Sequence, residues 1–171
     1  MTLVDLLERY AGYERRALLL YRGFAQRFHE DENASGLWRA LSDAEASHFT
    51  TLRLATDRVA MAGAGEAEAR GLAAGLEALD RRLSGIEEAA ARPGLVLTEA
   101  VELALAWEEL EAARIRHLIA ALPDVVRPHL ERGLLGQLDR HLGDLLALAQ
   151  ATGVDGLERR VSALGAPRST G

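Results

Sequence analysis

Residues 37–52 read LWRALSDAEASHFTTL. Counted at helical spacing, Trp38, Leu41, Glu45, His48 and Leu52 fall along one face, so a carboxylate and an imidazole interrupt an otherwise apolar seam. Glu45 and His48 are three apart, and residues so spaced share a helix face. An ionised carboxylate buried without a partner costs several kcal/mol or more. A compensating group must therefore come from elsewhere in the chain.

Outward from this stretch the seam runs Ala34, Trp38, Leu41, Glu45, His48, Leu52, Ala55, Val59, Ala62, which predicts a helix over about 34–62. The polar run HEDEN (29–33) separates it from a first helix with the seam Leu3, Leu7, Tyr10, Glu14, Ala17, Tyr21, Phe24, Phe28. Thr2 followed by Asp5 reads as its capped start. After AGAGE (62–66) come Ala-, Glu- and Arg-rich residues with glycines at 71, 75 and 85. They are expected to hold one shorter helix inside a long connection that RPG (92–94) ends. A third helix, about 97–121, carries Thr98, Val101, Leu105, Glu108, Ala112, Ile115, Ile119 and Leu122. LPD (122–124) makes a turn, Asp124 is expected to cap the next helix, and Pro128 is tolerated in its first turn. The fourth seam reads Glu131, Leu134, Leu138, His141, Leu145, Leu148. Residues 153–164 predict a last short helix before a frayed tail.

Composition agrees with an all-α domain of this size. Of 171 residues, 49% are hydrophobic but only 5% aromatic, so the core is aliphatic and built from good helix formers. All basic residues are arginine, the net charge is −6, and no basic stripe offers a nucleic acid a footprint. There is no cysteine, hence no disulfide, thiolate metal site or thiol chemistry. The beginning MTLVDLLERYAGYERR lacks a secretory pattern, and no apolar run is long enough for a membrane span; a cytoplasmic protein is expected.

Each long helix interrupts its seam near its middle: Glu14, then Glu45 and His48, then Glu108, then His141. Measured from the intervening turns, these positions differ by about three residues, or ~4–5 Å along a bundle. Carboxylates converging at one level of a dry core require a cation or protons, and divalent iron or manganese supplies charge and coordination together. Glu109 and Glu111 are neighbouring candidates for the Glu108 role, and EELE (108–111) also reads as a solvated face. Tyr10, Tyr13 and Tyr21 read as amphipathic core residues whose hydroxyls reach a partner. Trp38 and Trp107 read as packing residues near helix surfaces or a dimer interface.

YERRALLLY (13–21), LWRALSDAEASHFTTL (37–52) and LALAWEELEAARI (103–115) resemble the rubrerythrin-like branch of the ferritin-like superfamily. The resemblance covers about residues 3–150. It implies an antiparallel, ferritin-like four-helix bundle over 1–152 with a long crossover (63–96) between helices two and three; the short helix and tail at 153–171 fall outside the resemblance. That family carries Glu on helix one, E-x-x-H on helix two, Glu on helix three and E-x-x-H on helix four. Residue by residue, the metal ligands implied are Glu14, Glu45, His48, Glu108 and His141. Helix four departs from the pattern: Leu138 stands where a second bridging Glu belongs. A register slipped by three would instead pair His141 with Asp144, while Gln137 and Asp139 flank the gap.

The function implied is iron binding, di-iron or single, with manganese as the other metal, and action on peroxide, dioxygen or Fe(II). Without cysteine such a cycle draws on an external electron donor. The competing expectation, which Leu138 favours, is a metal-free or structural-metal bundle serving as a scaffold. A homodimer is expected from apolar residues on more than one face of helices two and three.

Overall fold

The computed structural model describes residues 1–62, 72–120, 122–124 and 126–152, and these are helical with no strand. Helix α1 spans Leu3–Arg27 and begins with the expected capping box. The Thr2 hydroxyl accepts the Asp5 N–H at 3.1 Å, and the Asp5 carboxylate accepts the Thr2 N–H at 2.8 Å. Helix α2 spans Glu32–Ala62 and starts two residues earlier than its seam implies. The reason is Asp31, whose side chain accepts the Ala34 N–H at 3.0 Å, so the HEDEN run ends one helix and caps the next.

Helix α3 is Leu76–Ala90, preceded by Gly75 at φ 83°, a left-handed conformation that favours glycine. Helix α4 is Leu97–Ala120. The last helical stretch, α5, consists of Arg127–Leu130, a π-helical turn at Glu131–Leu135, and Gly136–Thr152. Pro128 sits in its first turn as expected, but Asp124 is no cap: its side chain is 94% exposed and pairs with Arg127 at 3.3 Å, while Val126 holds the cap position. The expected helix at 153–164, the tail, and the part of the crossover at 63–71 lie outside the described residues.

Cross-helix bonds fix directions. Ser35 reaches the Ala25 carbonyl, Ser42 that of Leu18, and Arg53 meets Glu8, so α1 and α2 are antiparallel. Helix α3 runs parallel to α1: Arg9 pairs with Asp80, Arg16 with Glu87 at 2.7 Å, and Arg27 donates to the Arg92 carbonyl. Helix α4 opposes α1, since Tyr21 meets Glu108 whereas Tyr10 lies beside Arg114. Helix α5 opposes α2, with Gly133 against Thr51 and His141 against Glu45.

The π turn is not legible in the fourth seam, and it changes that seam. Glu131 is exposed although spacing places it inward, whereas Leu134, His141, Leu145 and Leu148 are buried. A single wide turn rotates the helical residues before it relative to those after it. A Cβ at Gly133 would lie 2.9 Å from the Thr51 methyl, so this turn approaches α2 closely.

The core lies among α1, α2, α4 and α5, with α3 laid along α1 and α4. Both tryptophans are at 0% exposure, which corrects their expected place near a surface. Trp38 stacks on Tyr21 (ring centroids 5.8 Å apart) and leans on Phe24 (5.0 Å). Truncating such a side chain to Ala typically costs about 3–5 kcal/mol. Through Tyr21, which bonds Glu108, this aromatic group borders the buried polar layer of the bundle. Among the described residues, no helix is long and apolar enough to cross a membrane.

Candidate metal centre

The four long helices bring Glu14, Glu45, His48, Glu108 and His141 together, each at most 3% exposed. Glu45 lies between two imidazoles. Its Oε2 is 3.1 Å from His48 Nδ1, and its Oε1 is 3.3 Å from His141 Nδ1. His48 Nδ1 also stands 3.4 Å from Glu14 Oε2, and the two histidine rings are 5.0 Å apart. Glu108 sits at the rim, its Oε2 3.9 Å from His141 Nδ1. The Tyr21 hydroxyl donates to Glu108 Oε1 at 2.6 Å, so that tyrosine orients a site carboxylate. Tyr13 takes a bond from Arg9, in keeping with its amphipathic reading.

Many polar atoms in this layer lack hydrogen bonds. Both oxygens of Glu14, Glu45 Oε1, His48 Nε2 and both nitrogens of His141 are buried without a partner. The ion-pair distances at Glu14 and His141 are short, but their geometry is not that of hydrogen bonds. Buried groups left in this state are costly, and their accumulation in one layer requires an explanation.

One ligand candidate is not singled out by its place in a seam. Glu111, one turn beyond Glu108, brings a carboxylate oxygen into a trio with Glu14 and Glu45. A second trio is Glu45, His48 and His141; within each, all donor atoms lie within 4.8 Å of one another. Glu111 is only partly buried as a residue, yet its carboxyl end is enclosed by protein and faces the Trp107 indole. The i, i+3 spacing within EELE is the signal that could have found it. The solvated-face reading of that stretch fails for Glu108, which is 1% exposed. Asp144 is half-buried and raises the proton affinity of His141, but it is not in either trio. The Leu138 and Asp139 side chains lie outside the described residues.

Electrostatics follow the crowding. Burial, then the charges of Glu111 and Glu45, push the Glu14 carboxyl well above the ordinary carboxylate value. Burial, then Glu45 and Glu108, do the same to Glu111. Burial also opposes ionisation of Glu45, but the His48 hydrogen bond, the adjacent Glu14 carboxyl and the His48 and His141 charges outweigh it and hold its pKa down. Burial disfavours protonated His141, and Glu108, Glu45 and Asp144 overcome this and raise it. Burial and the neighbouring Glu108 and Glu45 push the Tyr21 hydroxyl well up, so it stays protonated and able to donate. Without a cation, Glu14, Glu111 and His141 are driven to hold protons around a Glu45 carboxylate held ionised.

Compared with protein-family models, with curated proteins and with solved structures, the chain finds no match.

Proposed function

We propose that this chain is a non-haem metal protein with a ferritin-like bundle of the rubrerythrin kind, binding iron or manganese and acting on peroxide, dioxygen or Fe(II). Helix directions support the bundle: α4 opposes α1 and α5 opposes α2, with α3 in the connection running parallel to α1. A connection that carries the chain back along the bundle, so that helices two and three point the same way, is the single long crossover of that topology.

The observation that carries the metal reading is Glu45. Its carboxylate is fully buried between two imidazoles, in a layer whose remaining lone pairs have nothing to bind. Nitrogen and carboxylate donors together suit iron, manganese and similar divalent ions. Bound iron would supply electron transfer to and from oxygen species. The chain's part is to position donors and exclude water. Glu45 is shared between the trios, Glu14 lies near His48 and Glu108 near His141, and the two histidines furnish nitrogen. Tyr21 fixes Glu108, and Trp38, Leu41, Leu52 and Leu105 keep the surroundings dry. With no cysteine in the chain, electrons come from an external donor. A homodimer belongs to the same proposal, and light scattering tests it.

Elemental analysis of protein purified without chelator, before and after anaerobic Fe(II) loading, is the test. Bound metal that Glu45→Gln abolishes without unfolding the chain supports the proposal. A wild-type protein that stays far below one ion per chain after loading would remove it and leave the scaffold reading.

A further inference from the structure

A cleft of about 430 Å³ opens between the end of α1 and the first half of α2, away from the buried polar layer and sharing no residue with it. Arg22, Gln26 and His29 line one side, and Arg39, Ser42 and Asp43 the other. Residues three or four apart share a helix face, so each helix presents one face to this space. Cross-helix bonds fix the register: Ser42 is level with the Leu18 carbonyl and Ser35 with that of Ala25. In that register Arg22 and Arg39 stand opposite each other within one residue, a rise of about 1.5 Å. Two guanidinium groups at one level of one cleft repel, and neither is neutralised. Arg9, Arg16, Arg53 and Arg127 each pair with a carboxylate. Arg22 and Arg39 make no ion pair among the described residues, although Asp43 lines the same cleft. Arg39 is held by a serine instead. Its guanidinium donates to Ser35 Oγ at 2.7 Å, and that hydroxyl, at 0% exposure, donates to the Ala25 carbonyl at 3.1 Å.

We propose that this cleft binds a phosphate monoester of a small polyhydroxylated molecule, with Arg22 and Arg39 taking the phosphoryl oxygens from opposite helices. The inference uses none of the residues of the metal reading and does not depend on it. A guanidinium offers N–H donors and no acceptor, in a fork that matches phosphate oxygens. Two guanidinium groups against one carboxylate leave the cleft positive in a chain of net charge −6. Its volume falls within the range of about 300–1,000 Å³ of small-molecule pockets, which leaves room beyond a phosphate group. The rest of the lining supplies acceptors suited to hydroxyls. Asp43 contributes a carboxylate. His29 Nδ1 faces the Gln26 carbonyl at 3.0 Å and must donate to it, so in the neutral ring Nε2 is left to accept. Asp43 also repels further negative charge, which favours one phosphate with hydroxyls over a polyphosphate.

Isothermal titration calorimetry of the full chain in phosphate-free buffer tests this, with inositol monophosphate, inorganic phosphate and inositol as probes, on protein as purified and again after chelation. Inositol monophosphate is expected to bind one per chain and tighter than about 1 mM in both preparations. Inorganic phosphate should bind several-fold more weakly, and inositol not measurably. Arg22→Gln and Arg39→Gln are each expected to weaken the ester about tenfold or more, the loss of charge-assisted hydrogen bonds. Arg53→Gln, which removes an exposed arginine of α2 paired with Glu8, should leave its binding unchanged. Circular dichroism checks that the variants fold, and two separate arginines give two routes to the same answer. Absence of ester binding, or an equal loss in Arg53→Gln, overturns the inference. So does binding that disappears on chelation, which would place the phosphate on a metal. Equal affinity for inorganic phosphate and the ester would overturn the ester class and assign the cleft to free phosphate.

Discussion

Two clusters of opposite charge lie within a few turns of each other on α1, and they mean different things. On the outer side of α1, Arg9 and Arg16 grip Asp80 and Glu87 of α3; on the inner side, Glu14 meets His48 and Glu111. The outer cluster matches two cations to two carboxylates, with every member 25–38% exposed, and Arg16 also lies over the Trp107 ring. Solvent covers whatever the geometry leaves unpaired. The inner cluster contains more carboxylates than cations and no water-accessible side to correct the excess. The same residue types thus form a solvent-screened staple in one place and a buried layer of unbalanced charge in the other.

The sharpest way to break this comparison is to remove metal from loaded protein. A ligand present at about 1,000 times its dissociation constant stabilises the fold by about 4 kcal/mol. Chelation is therefore expected to lower the melting temperature strongly, and the outer cluster should not respond. An unchanged melt would place the inner layer in the same class as the outer one. Next in size is Glu14→Gln in the metal-free protein, expected to stabilise by about 1–3 kcal/mol because a buried acid without partners disappears. The same variant should gain less from added metal, so the sign of its effect reverses on loading.

The pH profile sharpens the contrast further. Glu14, Glu111 and His141 have folded-state pKa values raised by their surroundings. Their contribution to stability is full below their unfolded values and is lost as pH rises through the folded ones. Glu45, held low, contributes in the opposite sense, losing its share as pH falls. With three groups against one, the metal-free protein should lose stability as pH climbs from about 5 toward 8, and metal should flatten that loss. Denaturant midpoints across that range check it; stability rising with pH in the metal-free protein would contradict the assignment. The smallest effect is Arg16→Ala, expected to cost about 0–1 kcal/mol, since its partners are solvent-screened. A larger loss would mean that α3 is held by more than its side chains' charges suggest.

Much of this is legible in the spacing of residues alone. Among the described residues, the α1, α2 and α4 seams are buried as counted, with only Phe28 and Thr98 left partly exposed, and five interruptions meet at one level. A helix repeats every 3.6 residues, so spacing assigns side chains to a face. The exceptions mark where spacing falls short. Glu108, Glu111 and Ala112 all fall near one face, and nothing within α4 says which edge of it turns toward Glu14. Trp38 is a member of the counted α2 seam, so its burial agrees with spacing; the expected place of the tryptophans near a surface does not come from spacing. Enclosure comes from Tyr21 and Phe24 for one and from Arg16 overhead for the other.

The sequence by itself determined the helices, the Thr2 cap and the five polar groups that cannot all be buried alone, because these depend on local spacing and on the cost of desolvation. Tertiary structure alone decided that Glu111 joins them, that a π turn at Glu131–Leu135 precedes the turns carrying His141, and that Asp124 stays in water. Each of those depends on how one helix is rotated and docked against another, and that is fixed by contacts between residues far apart in the chain.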